Sequence, residues 1–145
     1  MRVRVVGLVI IGAAILAFVG SFLPWAQALG GLLKANGTDG DGVITLAVAL
    51  IGGGFGLGVT FGKKRRTARW TGLGACLCGV IIGAVAGFDL NDLNRLIGEM
   101  ELENEQLGPE AGSGIYLTLA SGVVMALASE WAIFTSDDLA TVSQP

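Results

Sequence analysis

Four stretches without a single charged side chain constrain this chain more than any other feature: Val5 to Leu33, Gly42 to Gly62, Trp70 to Phe88 and Ala111 to Ser129. A helix rises about 1.5 Å per residue, so roughly 20 apolar residues cross a hydrocarbon core of about 30 Å. Each stretch is long enough, and all 9 basic and 12 acidic residues are confined to the segments between and beyond them. Charged residues make up only 14% of the 145, against about a quarter in ordinary soluble domains. The expected fold is all-α: one integral membrane four-helix antiparallel bundle occupying 1–145, with spans at about 5–25, 43–62, 70–88 and 113–134. Outer loops are expected at 26–42 and 89–112, and a cytoplasmic loop at 63–69.

What remains outside the spans is too short for a soluble catalytic or binding domain, because single cores below about 40 residues rarely hold without metals or disulfides. Histidine is absent, which removes the commonest general base and metal ligand. Cys76 and Cys78 lie two positions apart within one span, about 200° around a helix, and read as small apolar fillers. Asp39-Gly40-Asp41-Gly42 resembles a fragment of a calcium loop but lacks the third ligand and the closing glutamate. No catalytic, cofactor or metal site is expected, and no nucleic-acid partner; Asp41 or Thr38 is expected to cap the second span.

The first span has a basic start, Arg2 and Arg4, and a small-x-small triplet, Ala26-Gln27-Ala28, as a signal peptide would. Its apolar run from Val5 to Trp25 exceeds the roughly 7 to 15 residues of such a core, so retention as a span is expected. Basic flanks stay on the cytoplasmic side. Arg2, Arg4, Lys63, Lys64, Arg65, Arg66 and Arg69 fall on one face, and the other face has only Lys34 and Arg95 beside nine acidic residues, Asp39 to Glu110. Both termini are therefore expected to be cytoplasmic in a multi-pass protein of the cell membrane. Trp25 and Tyr116 should mark the outer interface, and Trp70 and Trp131 the inner one. Glu130, beside Trp131, is expected to reach back to the Lys63–Arg66 cluster.

Helices in lipid associate through close backbone approach, which favours small residues every fourth position. The 24 glycines supply such rows. Ala75, Gly79, Gly83 and Gly87 line the third span, Gly114, Thr118, Gly122 and Ala126 the fourth, and Gly54 and Gly58 part of the second. Close contact between the third and fourth spans is expected, with Gly83 in it. A glycine face left over would serve self-association or a partner helix. Ser21, Thr45, Thr60, Thr71, Thr118, Ser121 and Ser129 are expected to bond to carbonyls a turn earlier. No Asp, Glu, Lys or Arg falls at mid-span, where pumps and coupled transporters place ionisable groups.

Between the third and fourth spans, Leu90, Leu93, Ile97 and Met100 recur at intervals of three and four and define one face of an amphipathic outer helix. Its polar face is acidic, unlike the Lys/Arg-rich helices that lie on anionic lipid. It either continues the third span outward or folds over the mouth of the bundle, and the apolar face is a candidate partner surface. Asn36-Gly37-Thr38 fits the N-glycosylation pattern, making Asn36 a candidate acceptor.

Leu23-Pro24-Trp25, Asp39-Gly40-Asp41-Gly42-Val43-Ile44-Thr45-Leu46 and Gly112-Ser113-Gly114-Ile115-Tyr116-Leu117 together resemble landmarks of uncharacterised small four-span membrane proteins of actinobacteria and haloarchaea. That resemblance implies the four-span layout and no particular activity. The layout and acidic composition are also similar to small envelope membrane proteins of archaeal pleomorphic viruses, which would place the chain in a viral envelope. The functional expectation is a non-enzymatic structural or accessory membrane protein that packs with itself or with a larger membrane assembly, surrounded by membrane lipid. A small channel or transporter is the alternative from another class.

Overall fold

Helices follow the charge-free stretches, and their ends are set by local chemistry. The structure is a computed structural model that describes residues 2–28, 31–62, 65–101 and 110–141. Four helices, α1 (Arg2–Phe22), α2 (Gly42–Phe61), α3 (Arg65–Glu101) and α4 (Ser113–Thr141), are each long and apolar enough to cross a membrane. α1 stops three residues short of the expected span because proline disfavours helical geometry in the residue before it, and Leu23 precedes Pro24. α3 begins at Arg65, so Arg66 and Arg69 are helical rather than part of a loop over 63–69. At its other end α3 runs without interruption to Glu101, so the amphipathic segment extends the third span outward. Its 37 residues reach about 55 Å, nearly twice the hydrocarbon thickness.

The expectation of an all-α chain is corrected at one end. Three short strands, β1 (Pro24–Ala28), β2 (Leu33–Asn36) and β3 (Glu110–Ala111), form an antiparallel sheet in the order β2-β1-β3. Ala26 pairs with Ala35 on one side and Ala111 on the other. Pro24 sits at the start of the central strand and interrupts the register, a position where its missing N–H costs no ladder bond. The backbone groups released where α1 stops are therefore paired: Gly37 donates to Leu23 O at 3.2 Å and Gly112 to Trp25 O at 2.8 Å. The sequence signal was weak because β1 is only five residues long, most of them small or polar, without the alternation that marks a strand.

α1 packs on α2 and α4, and α3 on α2 and α4; the α3–α4 contact is the most extensive. Side-chain-free positions set the approach of each pair. A Cβ on Gly7 would strike Thr60, one on Gly20 would come within 2.5 Å of Thr118 Oγ1, and one on Gly58 within 2.5 Å of Thr71 Cγ2. Across α3–α4, a Cβ on Gly79 would lie 2.6 Å from Ala126 N, and one on Gly122 2.6 Å from Gly83 N. These pairings run antiparallel along each interface. At the centre, Gly52 faces Met125 and Cys78, and the fully buried Ile10, Ile82 and Met125 fill the space among the helices with Ala13, Ala14, Ala17, Ala49 and Ala75. Outward faces are apolar as well, with Leu50, Leu77, Leu127 and Phe134 exposed, the pattern of helices whose surroundings are lipid.

The buried hydroxyls behave as expected with one exception. Ser21, Thr60, Ser121 and Ser129 each donate to the carbonyl four residues earlier, and Thr45 Oγ1 donates to Gly42 O at 2.8 Å. Ser21 and Thr45 also meet each other at 2.8 Å between α1 and α2. Thr118 Oγ1 has no hydrogen-bond partner among the described residues and lies against Gly20 instead. Asp41 occupies the N-cap of α2, but its backbone carbonyl, not its side chain, accepts from Ile44 N at 2.9 Å. Trp25 is also corrected: it is 6% exposed and serves as core rather than as an interfacial anchor, whereas Tyr116, Trp70 and Trp131 are exposed.

Two predictions test these contacts. Gly122→Val should cost about 1–3 kcal/mol through overpacking against α3, while Gly83→Ala, whose Cβ meets nothing within 4 Å, should be neutral or stabilise by up to about 1 kcal/mol. Thermal unfolding in detergent reads both, and the reverse ranking would contradict the α3–α4 register. By the same measurement Trp25→Ala should cost about 3–5 kcal/mol and Trp25→Phe about 1 kcal/mol more than its lost volume, the value of the indole N–H bond.

Candidate functional site

The three sequence landmarks, far apart in the chain, meet at the sheet end. Trp25 is the centre of that assembly. Pro24 has no N–H to give to Gly20 O four residues earlier, and Trp25 Nε1 donates to that carbonyl at 3.0 Å instead. The indole packs with Ala86 and Ile115, against Val85, Leu90, Ala111 and Leu119. Gly37 is required above it, since a Cβ there would lie 2.6 Å from the ring carbon Cε2. Gly42 in turn lies on the Gly37 backbone, Gly112 on the Pro24 carbonyl, and a Cβ on Gly114 would come within 2.8 Å of Gly20 O and Leu23 O. Leu23-Pro24-Trp25, the Asp39–Leu46 landmark and the Gly112–Leu117 landmark thus form one packed cap.

Beside this cap opens a groove of about 440 Å³. Trp25 and Ile115 from the cap and Leu93 and Leu96 from the outer part of α3 supply its apolar surface; Asp39, Asp41, Asp89 and Asp92 supply its charge. Asp89, Asp92, Leu93 and Leu96 fall at i, i+3, i+4 and i+7, one face of α3. Leu93 belongs to the apolar face read from sequence, and Leu96 does not; the groove is built one stripe over, where acidic and apolar residues alternate. The remaining residues of that face divide: Leu90 packs on the Trp25 core, Ile97 is half-buried, and the Met100 side chain lies outside the described residues.

Among the described residues no cation forms an ion pair with the groove carboxylates. Asp39 Oδ2 accepts from Asn36 N at 2.9 Å, and Arg95 pairs along its own helix with Glu99 at 3.3 Å. Asp89, the first residue beyond the charge-free stretch of α3, has its carboxyl pushed above the ordinary carboxylate value by burial and by the negative charges of Asp41 and Asp92. Among the described residues no three carboxylates or thiols converge as a metal ion would require. An apolar floor with unneutralised carboxylates at its edge is suited chemically to a ligand that is apolar in the middle and cationic at its ends.

The other residues singled out from sequence are placed as follows. Gly58, Ala75, Gly79, Gly114, Gly122 and Ala126 lie in helix contacts, Gly87 lies 3.8 Å from Leu119 Cδ1 through its Cβ direction, and Gly54 is exposed with open space beside it. Gly83 touches α4 through its backbone N while its own Cβ direction is open. Asn36 is exposed at the end of β2, on the groove. Glu130 is exposed and pairs with neither Arg66 nor Arg69; Lys63 and Lys64 lie outside the described residues, as do Glu103 and Glu105. Gly7 and Gly20 stand alone rather than in a four-residue row, and Gly37 and Gly112 act outside the helices, so no helical period marks their contacts.

A raised carboxyl binds its proton more tightly in the folded than in the unfolded state, so its favourable contribution is present below the ordinary carboxylate value and lost as pH rises through the raised one. Asp89→Asn removes that loss. Its thermal stability relative to the native chain should increase with pH across that range, and a pH-independent difference would show that neither burial nor the charges of Asp41 and Asp92 raise the Asp89 carboxyl. No protein-family model matches the chain, and comparison with curated proteins finds no match.

Proposed function

We propose that the chain is a non-enzymatic accessory protein of the cell membrane, an antiparallel four-helix bundle with both termini cytoplasmic, that docks on a larger membrane assembly through its outer groove. The observation that carries this reading is the groove itself, with Trp25, Leu93, Leu96 and Ile115 as apolar surface and Asp39, Asp41, Asp89 and Asp92 around it. The orientation is supported by the separation of charge: Arg4, Arg66 and Arg69 lie at the end holding the termini, and nine of the twelve acidic residues, Asp39 to Glu110, belong to the segments at the sheet end. The complementary partner is a Lys- or Arg-bearing amphipathic segment of another membrane protein. A second copy is a poorer complement, because the sheet end has only Lys34 and Arg95 as cations and Arg95 is already paired with Glu99.

A photoreactive residue at Leu93 or Leu96, activated in the native membrane, should join the chain to a peptide with basic residues flanking an apolar core. Replacing Asp39, Asp41 and Asp92 by asparagine should lower the yield several-fold, and raised salt should do the same. Lipid adducts alone at both positions, together with ion or solute flux in liposomes, would replace docking with a conducting role.

A further inference from the structure

We propose that the end of α3 opposite the sheet carries a binding site for an anionic phospholipid. Arg66, Arg69, Trp70 and Leu73 fall at i, i+3, i+4 and i+7, on one face, and line a depression of about 430 Å³. Both arginines are exposed, and neither has an ion-pair partner among the described residues, Glu130 on the adjoining α4 included. Two exposed guanidiniums a turn apart present the fork geometry that binds phosphate oxygens bidentately.

What makes this a lipid site rather than a soluble-anion site is the order of chemistry along the helix. Below the cations come Trp70, 65% exposed, and Leu73, 45% exposed, then the exposed Leu77 and Val80. Cation, indole and aliphatic surface succeed one another in the order of phosphate, glycerol ester and acyl chain. Arg66 to Leu73 spans about 10 Å along the axis, comparable with the roughly 5–8 Å of headgroup region on each side of a bilayer. A free phosphate would meet the arginines and leave Trp70 and Leu73 unused. A zwitterionic lipid would bring its own cation towards two arginines that repel it. The inference depends on α3 spanning the membrane and is independent of the outer groove and its partner.

Fluorescence of Trp131→Phe protein in phosphatidylcholine bicelles isolates Trp70 as the exposed tryptophan, Trp25 being buried. Brominated phosphatidylglycerol should quench it with about tenfold stronger association than brominated phosphatidylcholine. The preference should fall to near one in R66Q/R69Q, survive largely in R66K/R69K, diminish with salt and be unchanged in R95Q. Native mass spectrometry of the unaltered chain should likewise retain phosphatidylglycerol over phosphatidylcholine, without dependence on any variant. Equal association of the two lipids, or a preference that survives R66Q/R69Q, overturns the proposal. Loss of the preference on adding millimolar soluble glycerol phosphate also overturns it, by identifying a free phosphate as the ligand.

Discussion

Backbone touching backbone at positions without side chains is the interaction on which the rest of this structure depends. Each helix interface has its own version: Gly7 on Thr60, Gly58 on Thr71, Gly20 on Thr118, and Gly79 with Gly122 between α3 and α4. In lipid, apolar burial gives helices no reason to prefer one another over acyl chains, so contact distance decides association. The threonines contribute twice, as small surfaces filling the space opposite a glycine and, for Thr60 and Thr71, as hydroxyls returned to their own helix. Thr118 departs from that pattern: its hydroxyl lies against the Gly20 face with no hydrogen-bond partner among the described residues.

The sheet end is built where α1 stops. Once Pro24 ends α1, the carbonyls of Gly20, Leu23 and Trp25 take donors from outside the helix ladder: the Trp25 indole on Gly20 O beside Leu23 N, Gly37 N on Leu23 O, and Gly112 N on Trp25 O. Those bonds hold β1 between β2 and β3 and bring the 39–41 turn beside the outer part of α3. The groove is therefore a by-product of terminating a helix, yet its surface chemistry does not follow from that requirement. Nothing in helix termination calls for four carboxylates around an apolar floor, where burial, and then the charges of Asp41 and Asp92, raise the carboxyl of Asp89.

How far the sequence was legible follows from which signals are local. Charge-free stretches are a local signal, and the four helices follow them. Gly7 and Gly20 lie thirteen residues apart on α1 and belong to no row, so the role of α1 at two interfaces could be read only from contacts. The sheet escaped because it is made from pairings between segments tens of residues apart, with β3 only two residues long. Trp25 was misplaced for a related reason: a tryptophan at a span end reads as an interfacial anchor, and only the return of Gly37 and Gly112 over it makes the site buried. The groove face of α3 was half visible, since Leu93 lies on the apolar stripe and Leu96 on a mixed one.

α3 joins these two ends and gives them opposite character. One continuous helix presents Arg66 and Arg69 above an indole and leucine at its start, and Asp89 and Asp92 beside leucines at its other end. Between them lies a charge-free stretch long enough to cross the hydrocarbon core. Sliding α3 along its axis by one turn, about 5.4 Å, would draw either the arginines or Asp89 into lipid, where a charge costs several kcal/mol even by the most lenient scales. The two charged ends therefore hold α3 at one depth. Because Gly79 and Gly122 hold α4 to it, that depth passes to the neighbouring helix and to the cap that α4 and α1 share. In a bilayer the height of the groove would thus be set by charges on α3 as much as by the residues that line it.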